Sequence, residues 1–277
     1  MRGLLFALCL LLGAQLHAEE RLFFQPLNAD QRIAQDTWRE IWRASARHGV
    51  KTLIVQWTAY GDSDFGGADG WLAQALRAAH EQGLQLVLGL YMDPAYYQRQ
   101  QELDNPGLAA YWQHQLGRSL AQQRVLRDAW KLPAAGWYLP LELDDQQFQA
   151  PERREALARQ LRDMRSRLDA PLHLSAFSAG KLAPSAYAEW LADLHDLGIQ
   201  VWWQDGEGTA ALPARVRRAY AAALPCSLGV VREAFRQVSK PGQPFRAVPA
   251  EPAKASGCHP DAVFSLRYRP WGKALLQ

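Results

Sequence analysis

Two glutamates stand where this sequence is best placed to carry acid chemistry. Glu142 ends the mostly apolar run Gly136-Trp137-Tyr138-Leu139-Pro140-Leu141 and is followed by Leu143, Asp144 and Asp145, while Glu233 closes the run from 227. A carboxylate at the C-terminal end of a buried parallel strand lies where barrel enzymes keep their reacting groups. Glycoside hydrolysis needs such a pair, one carboxyl protonated to assist the leaving oxygen and one ionised to attack the anomeric carbon or activate water. The plainer alternatives are that Glu142, Asp144 and Asp145 solvate a loop or cap a helix, and that Glu233 complements a helix dipole.

The elements that must bring these residues together repeat along the chain. Strand patterns fall at 21–26, 52–57, 84–91, 136–142, 172–177, 199–204, 227–233 and 262–268. Helical spacing covers a segment capped by Asp36 and stopped at His48-Gly49, then 71–82, 106–130, 151–168, 185–197 and 212–224. The stretch 241–260, rich in Pro, Ala and Gly, reads as an irregular excursion in place of a regular final helix. Strands alternating with helices at this length predict an α/β fold, a (β/α)8 barrel forming one domain over 19–277, with a doubly wound open sheet as the alternative. Pro140 cannot donate to a ladder, so a barrel strand containing it requires a bulge.

A barrel gathers its strand ends on one face, so they form one list. Gln25, Gln56, Tyr138 and Asp205 are the polar candidates for holding sugar hydroxyls. Trp57, Tyr91, Trp203 and Trp271 are candidates for stacking on sugar rings. These assignments depend on strand register, because a one-residue slip turns a side chain to the other face.

Residues 1–18 carry Arg2, an apolar run from Leu4 to Leu12 and a small residue at Ala18, the pattern of a secretory signal peptide. The apolar run is short for a membrane span, and no stable membrane anchor is expected. The product is accordingly expected in the periplasm or outside the cell. Removal of this segment leaves Cys226 and Cys258, which form one bridge or remain two thiols in a compartment where disulfides persist. The formal net charge of +3, lowered by one with Arg2, and the scattered basic residues give no nucleic-acid footprint. Eleven Trp and nine Tyr suit a carbohydrate partner as well as a core. The seven His show no zinc spacing. The loop containing Asp62, Asp64 and Asp69 lacks the last glutamate of a calcium loop, and no GxSxG or GxGxxG motif is present. No metal or cofactor is expected.

Specific residues carry a family resemblance. Trp38 with Ile41 and His48-Gly49-Val50, the segment Thr52-Leu53-Ile54-Val55-Gln56-Trp57-Thr58-Ala59-Tyr60, the Glu142 run, and Trp203-Gln204-Asp205-Gly206-Glu207-Gly208 resemble the DUF4434 domain, a family of bacterial proteins similar to glycoside-hydrolase barrels. The resemblance spans most of the chain beyond residue 18. It implies a (β/α)8 fold and a glycan hydrolase; by analogy with barrel glycosidases that carry their acid on strand four and nucleophile on strand seven, Glu142 is the expected acid/base and Glu233 the nucleophile of a retaining enzyme. Arg232, adjacent in sequence, is expected to keep Glu233 ionised. The competing expectation is a glycan-binding barrel without catalysis, accessory to polysaccharide export or modification.

Overall fold

Runs of branched and aromatic residues form eight parallel strands: β1 (Glu20–Phe24), β2 (Val50–Val55), β3 (Gln85–Gly89), β4 (Gly136–Asp144), β5 (Leu172–Phe177), β6 (Ile199–Gln204), β7 (Gly229–Glu233) and β8 (Asp261–Phe264). In this computed structural model they pair in the order 1-8-7-6-5-4-3-2 and close into a barrel. The structure describes residues 20–240, 242–254 and 257–276; the expected signal peptide, 1–18, lies outside them. Phe23, Ile54, Val87, Tyr138, Trp202, Val231 and Ala262 pack together inside the barrel. A larger apolar layer, including Trp38, Leu53, Leu86, Leu139, Leu174 and Val201, joins the strands to the helices around them.

Those helices are α1 (Gln35–Arg47), α2 (Trp71–Glu81), α3 (Tyr96–Glu102), α4 (Asn105–Val125), α5 (Pro151–Ser166), α6 (Pro184–Asp196) and α7 (Ala214–Ala223). Helix α1 starts behind Ala34 rather than Asp36, which lies in the first turn and pairs with Arg39 at 2.6 Å. The helix expected over 106–130 is α4, capped by the Asp104 side chain on the Gly107 amide, followed by a wider turn, Leu126–Trp130. The short α3, not foreseen from the sequence, sits between β3 and α4. The strand expected over 84–91 breaks after Gly89, where a Cβ would collide with the backbone of Gln56 and Trp57. The chain resumes as Tyr91–Met92, paired with Ala59–Tyr60 beyond the barrel rim.

Two irregularities bear on the site. The β4–β5 register shifts between Leu139 and Glu142, so Pro140 and Leu141 fall in a bulge that absorbs the missing proline donor and sets Glu142 opposite Ser175. Between β7 and β8 the strands Phe235–Gln237 and Ala247–Pro249 form a small antiparallel ribbon where a barrel usually places a helix. Cys226 and Cys258 are disulfide-bonded with Cα atoms 5.2 Å apart, tying the turn before β7 to the entry of β8.

Candidate active site at the barrel mouth

Side chains from the end of β2, from α3 and from the end of β6 converge on Glu142 of β4. Its Oε1 accepts from Gln56 Nε2 at 3.2 Å and from Gln204 Nε2 at 3.3 Å, and its Oε2 accepts from the Tyr97 hydroxyl. Gln204 also reaches Ser175 Oγ at 3.3 Å, and Ser175 shares a 2.7 Å hydrogen bond with the Tyr138 hydroxyl beneath. The Tyr96 hydroxyl donates to the Glu142 carbonyl at 3.1 Å, fixing the backbone as well. Burial pushes the Glu142 carboxyl above its usual range, while the Tyr97 and Gln204 donors pull it back.

Glu233 is buried and held differently. Its Oε2 accepts from the backbone amides of Gly208, at 2.6 Å, and Thr209, at 3.2 Å. Burial, followed by the negative charge of nearby Asp205, pushes its carboxyl up to about 7. Arg232 does not supply the expected stabilising cation. Successive strand residues face opposite sides, so Arg232 points out of the barrel and pairs with Asp261 and the Ala253 carbonyl.

Glu142 and Glu233 line one cavity of about 370 Å³ with Tyr97, Phe177, Gln204 and Asp205 among its walls. Asp205, whose carboxyl burial raises to about 6, accepts from the Glu207 amide at 3.0 Å. Of the residues expected at the site, Glu142, Glu233 and Asp205 are thus brought together, with Gln56 touching Glu142 from behind. Tyr138 lies deeper, closed off inside the barrel and bonded to Ser175 rather than open to a sugar.

The four aromatic platforms do not assemble. Trp203 lies between the inward-facing Trp202 and Gln204 and therefore packs outward in the layer under the helices. Trp57, one residue beyond Gln56, turns out for the same reason and donates to the Pro26 carbonyl at 2.9 Å. Gln25 and Trp57 line a separate cavity of about 300 Å³. Tyr91 lies under the Arg118 guanidinium, 4.1 Å from its ring centre, and Trp271 stacks on His48 and donates to Ser45. The aromatic walls are instead Tyr97 and Phe177. Phe177 was readable from the inward series His173, Ser175, Phe177, as Gln204 was from Trp202; Tyr97 rides on the unforeseen α3.

The neighbouring acids are structural. Asp144 accepts from the Gln146 and Gln147 amides, each at 2.8 Å, as a turn cap. Asp145 is fully buried and takes the amides of Ala179, Lys181 and Leu182 together with the Tyr220 hydroxyl. It thereby ties the β4 end to the loop after β5.

Residues 21–255 match the family described as Domain of unknown function (DUF4434). The chain belongs to this family. This DUF4434 protein is also 31% identical over 299 residues to the uncharacterized protein YbcH of Escherichia coli strain K12, with 100% of both chains covered. Among solved structures, the chain resembles a candidate alpha-L-fucosidase from Bacteroides thetaiotaomicron, with a TM-score of 0.54 and 15% identity, over 93% of this chain and 89% of that one. It also resembles the spore cortex-lytic enzyme SleL of Bacillus cereus, with a TM-score of 0.53 and 12% identity, over 94% of this chain and 73% of that one. At these identities the two structures establish a shared fold.

Proposed function

We propose that this DUF4434 barrel is a retaining glycoside hydrolase acting on a bacterial or environmental polysaccharide in the periplasm or outside the cell. The observation that carries this reading is that Glu142 and Glu233 face one cavity in contrasting environments. The fold shared with a candidate fucosidase and a cortex-lytic enzyme supports it, and the disulfide supports an oxidising compartment.

The environments favour a division of roles opposite to that implied by strand order. Burial raises both carboxyls; the Tyr97 and Gln204 donors draw Glu142 back toward the carboxylate, whereas burial and the Asp205 charge let Glu233 keep a proton up to about pH 7. In our reading the Glu233 proton passes to the glycosidic oxygen as its bond to the anomeric carbon breaks, while Glu142 attacks that carbon to form a glycosyl ester. Ionised Glu233 then takes a proton from water, whose oxygen displaces Glu142 and releases the sugar. Phe177 and Tyr97 supply ring faces for the sugar, and Asp205 an acceptor for its hydroxyls.

The test is reducing-sugar release from a panel of polysaccharides, with product stereochemistry followed by NMR. Glu142→Gln and Glu233→Gln are each expected to reduce turnover about 10³-fold or more. Activity surviving either change overturns the role of that residue, and an inverted product overturns the double-displacement step. Binding without turnover in the unaltered protein would favour the accessory glycan-binding barrel.

A further inference from the structure

The ribbon between β7 and β8 leaves part of the outer barrel wall without a covering helix. A cavity of about 510 Å³ opens there, between the outer faces of β6 and β7, helix α7 and the segment leading into β8. Its floor includes Trp203, only 2% exposed, whose indole Nε1 has no hydrogen-bond partner among the described residues.

The charges on its walls are unevenly spent. Arg232 and Asp261 satisfy one another in a half-buried ion pair. Asp205 and Glu207 lie on the loop after β6. Arg217 and Arg218 stand side by side on α7, with Lys254 also on the wall. Arg217 donates Nη1 to the Leu212 carbonyl at 2.7 Å, and its charge also acts on Asp205. Arg218 and Lys254 are exposed. Arg217 and Asp205 also line the mouth cavity that holds Glu142 and Glu233, so the two cavities share a wall. An extended polymer crossing the Asp205-Gly206-Glu207 turn would occupy both.

We propose that this outer groove is a subsite for an acidic glycan, whose anionic groups are held by Arg217, Arg218 and Lys254 while a neighbouring sugar occupies the mouth. Planar guanidinium groups match carboxylates and sulfates through paired donors. Continuity with the mouth makes the occupant part of the same chain as the cleaved sugar. The inference therefore rests on the glycosidase reading for its biological meaning, while the anion preference is measurable without catalysis.

The experiment is calorimetric titration of the Glu142→Gln protein with oligogalacturonate, sulfated dextran and neutral dextran fragments of matched length. At low salt, an acidic oligomer is expected to bind about tenfold more tightly than the neutral one, with the advantage shrinking as salt rises. The double variant Arg218→Ser and Lys254→Ser, which changes two exposed side chains, is expected to remove most of that advantage. Preference for oligogalacturonate identifies carboxylate as the recognised group, and preference for sulfated dextran identifies sulfate. Equal binding of acidic and neutral oligomers, no binding of either acidic oligomer, or a preference untouched by the double variant overturns the proposal. Cleavage confined to neutral glycans together with equal binding sinks the acidic subsite and leaves the glycosidase reading standing. An acidic preference beside full turnover in Glu142→Gln and Glu233→Gln does the reverse.

Discussion

Glu142 and Glu233 face the same cavity from walls built on different principles. On the β4 side the carboxylate is held by side chains from the end of β2, β6 and α3, namely Gln56, Gln204 and Tyr97, while buried Asp145 pins the adjoining loop through backbone amides. On the β7 side Glu233 is held by the main chain of one loop, at Gly208 and Thr209, and the chain beyond β7 forms a ribbon rather than a helix. A wall of interlocking side chains shares its function among many positions. A wall that depends on backbone amides concentrates it at the residue that lets the backbone come close.

The largest expected consequence tests the side-chain wall at its anchor. Asp145→Ala leaves three backbone amides without their acceptor, while the Tyr220 hydroxyl keeps the Leu182 carbonyl, and should lower unfolding free energy by about 3 kcal/mol in urea denaturation. A loss below about 1 kcal/mol would show that water replaces the carboxylate there and that this wall is less constrained than its contacts indicate.

A comparable effect is expected from pH on the other wall. The Glu233 carboxyl is raised from 4.5 to about 7, so the folded protein binds an extra proton between those values. Its contribution to stability is full below pH 4.5 and is lost as pH rises through 7, a change of about 3 kcal/mol. Denaturation across pH 4 to 8 should show this decline, and Glu233→Gln should flatten it. An unchanged slope in the variant would assign the proton uptake to other groups, Asp205 first among them.

Gly208→Ala tests the backbone wall directly. A Cβ at this position would lie 2.5 Å from the Phe235 carbonyl oxygen and 2.8 Å from Glu233 Oε2, so the loop must withdraw and the amide bond to Glu233 lengthen. Turnover is expected to fall about 10²-fold, as when a single oriented backbone donor is displaced. Near-normal turnover would mean that Thr209 suffices.

The smallest effect is expected where one donor of several is removed. Tyr97→Phe takes one hydrogen bond from Glu142 and leaves those of Gln56 and Gln204. Turnover should drop by about tenfold or less, with stability nearly unchanged because the Tyr97 side chain is exposed. The apparent pKa of Glu142 in the pH–rate profile should rise, because a donor to its ionised form is gone. No shift in the profile would confine Tyr97 to lining the cavity.

Much of this barrel could be read from the sequence because its strands are strongly patterned. Leu172–Phe177 and Ile199–Gln204 form the strands their residues predict, and Pro140 sits in the bulge its missing N–H requires. The legible parts were those governed by local rules. The aromatic platform was lost at the step where a local rule meets a global one. Trp57 and Trp203 end apolar strands just as Gln56 and Gln204 do, and a single residue of register separates the barrel mouth from the layer beneath the helices. Helix α3 escaped because seven residues offer little periodicity, and with it went Tyr97.

By itself, then, the sequence determined the alternation of strand and helix, the two glutamates at strand ends and the cysteine pair, since each depends on residue type and spacing along the chain. Only the tertiary structure decided which neighbours those glutamates meet. The donors to Glu142 come from residues as far as 86 positions away, and the amides on Glu233 from a loop 24 and 25 positions earlier. It likewise decided that Arg232 points away from Glu233, because strand alternation separates adjacent side chains that a linear reading places together.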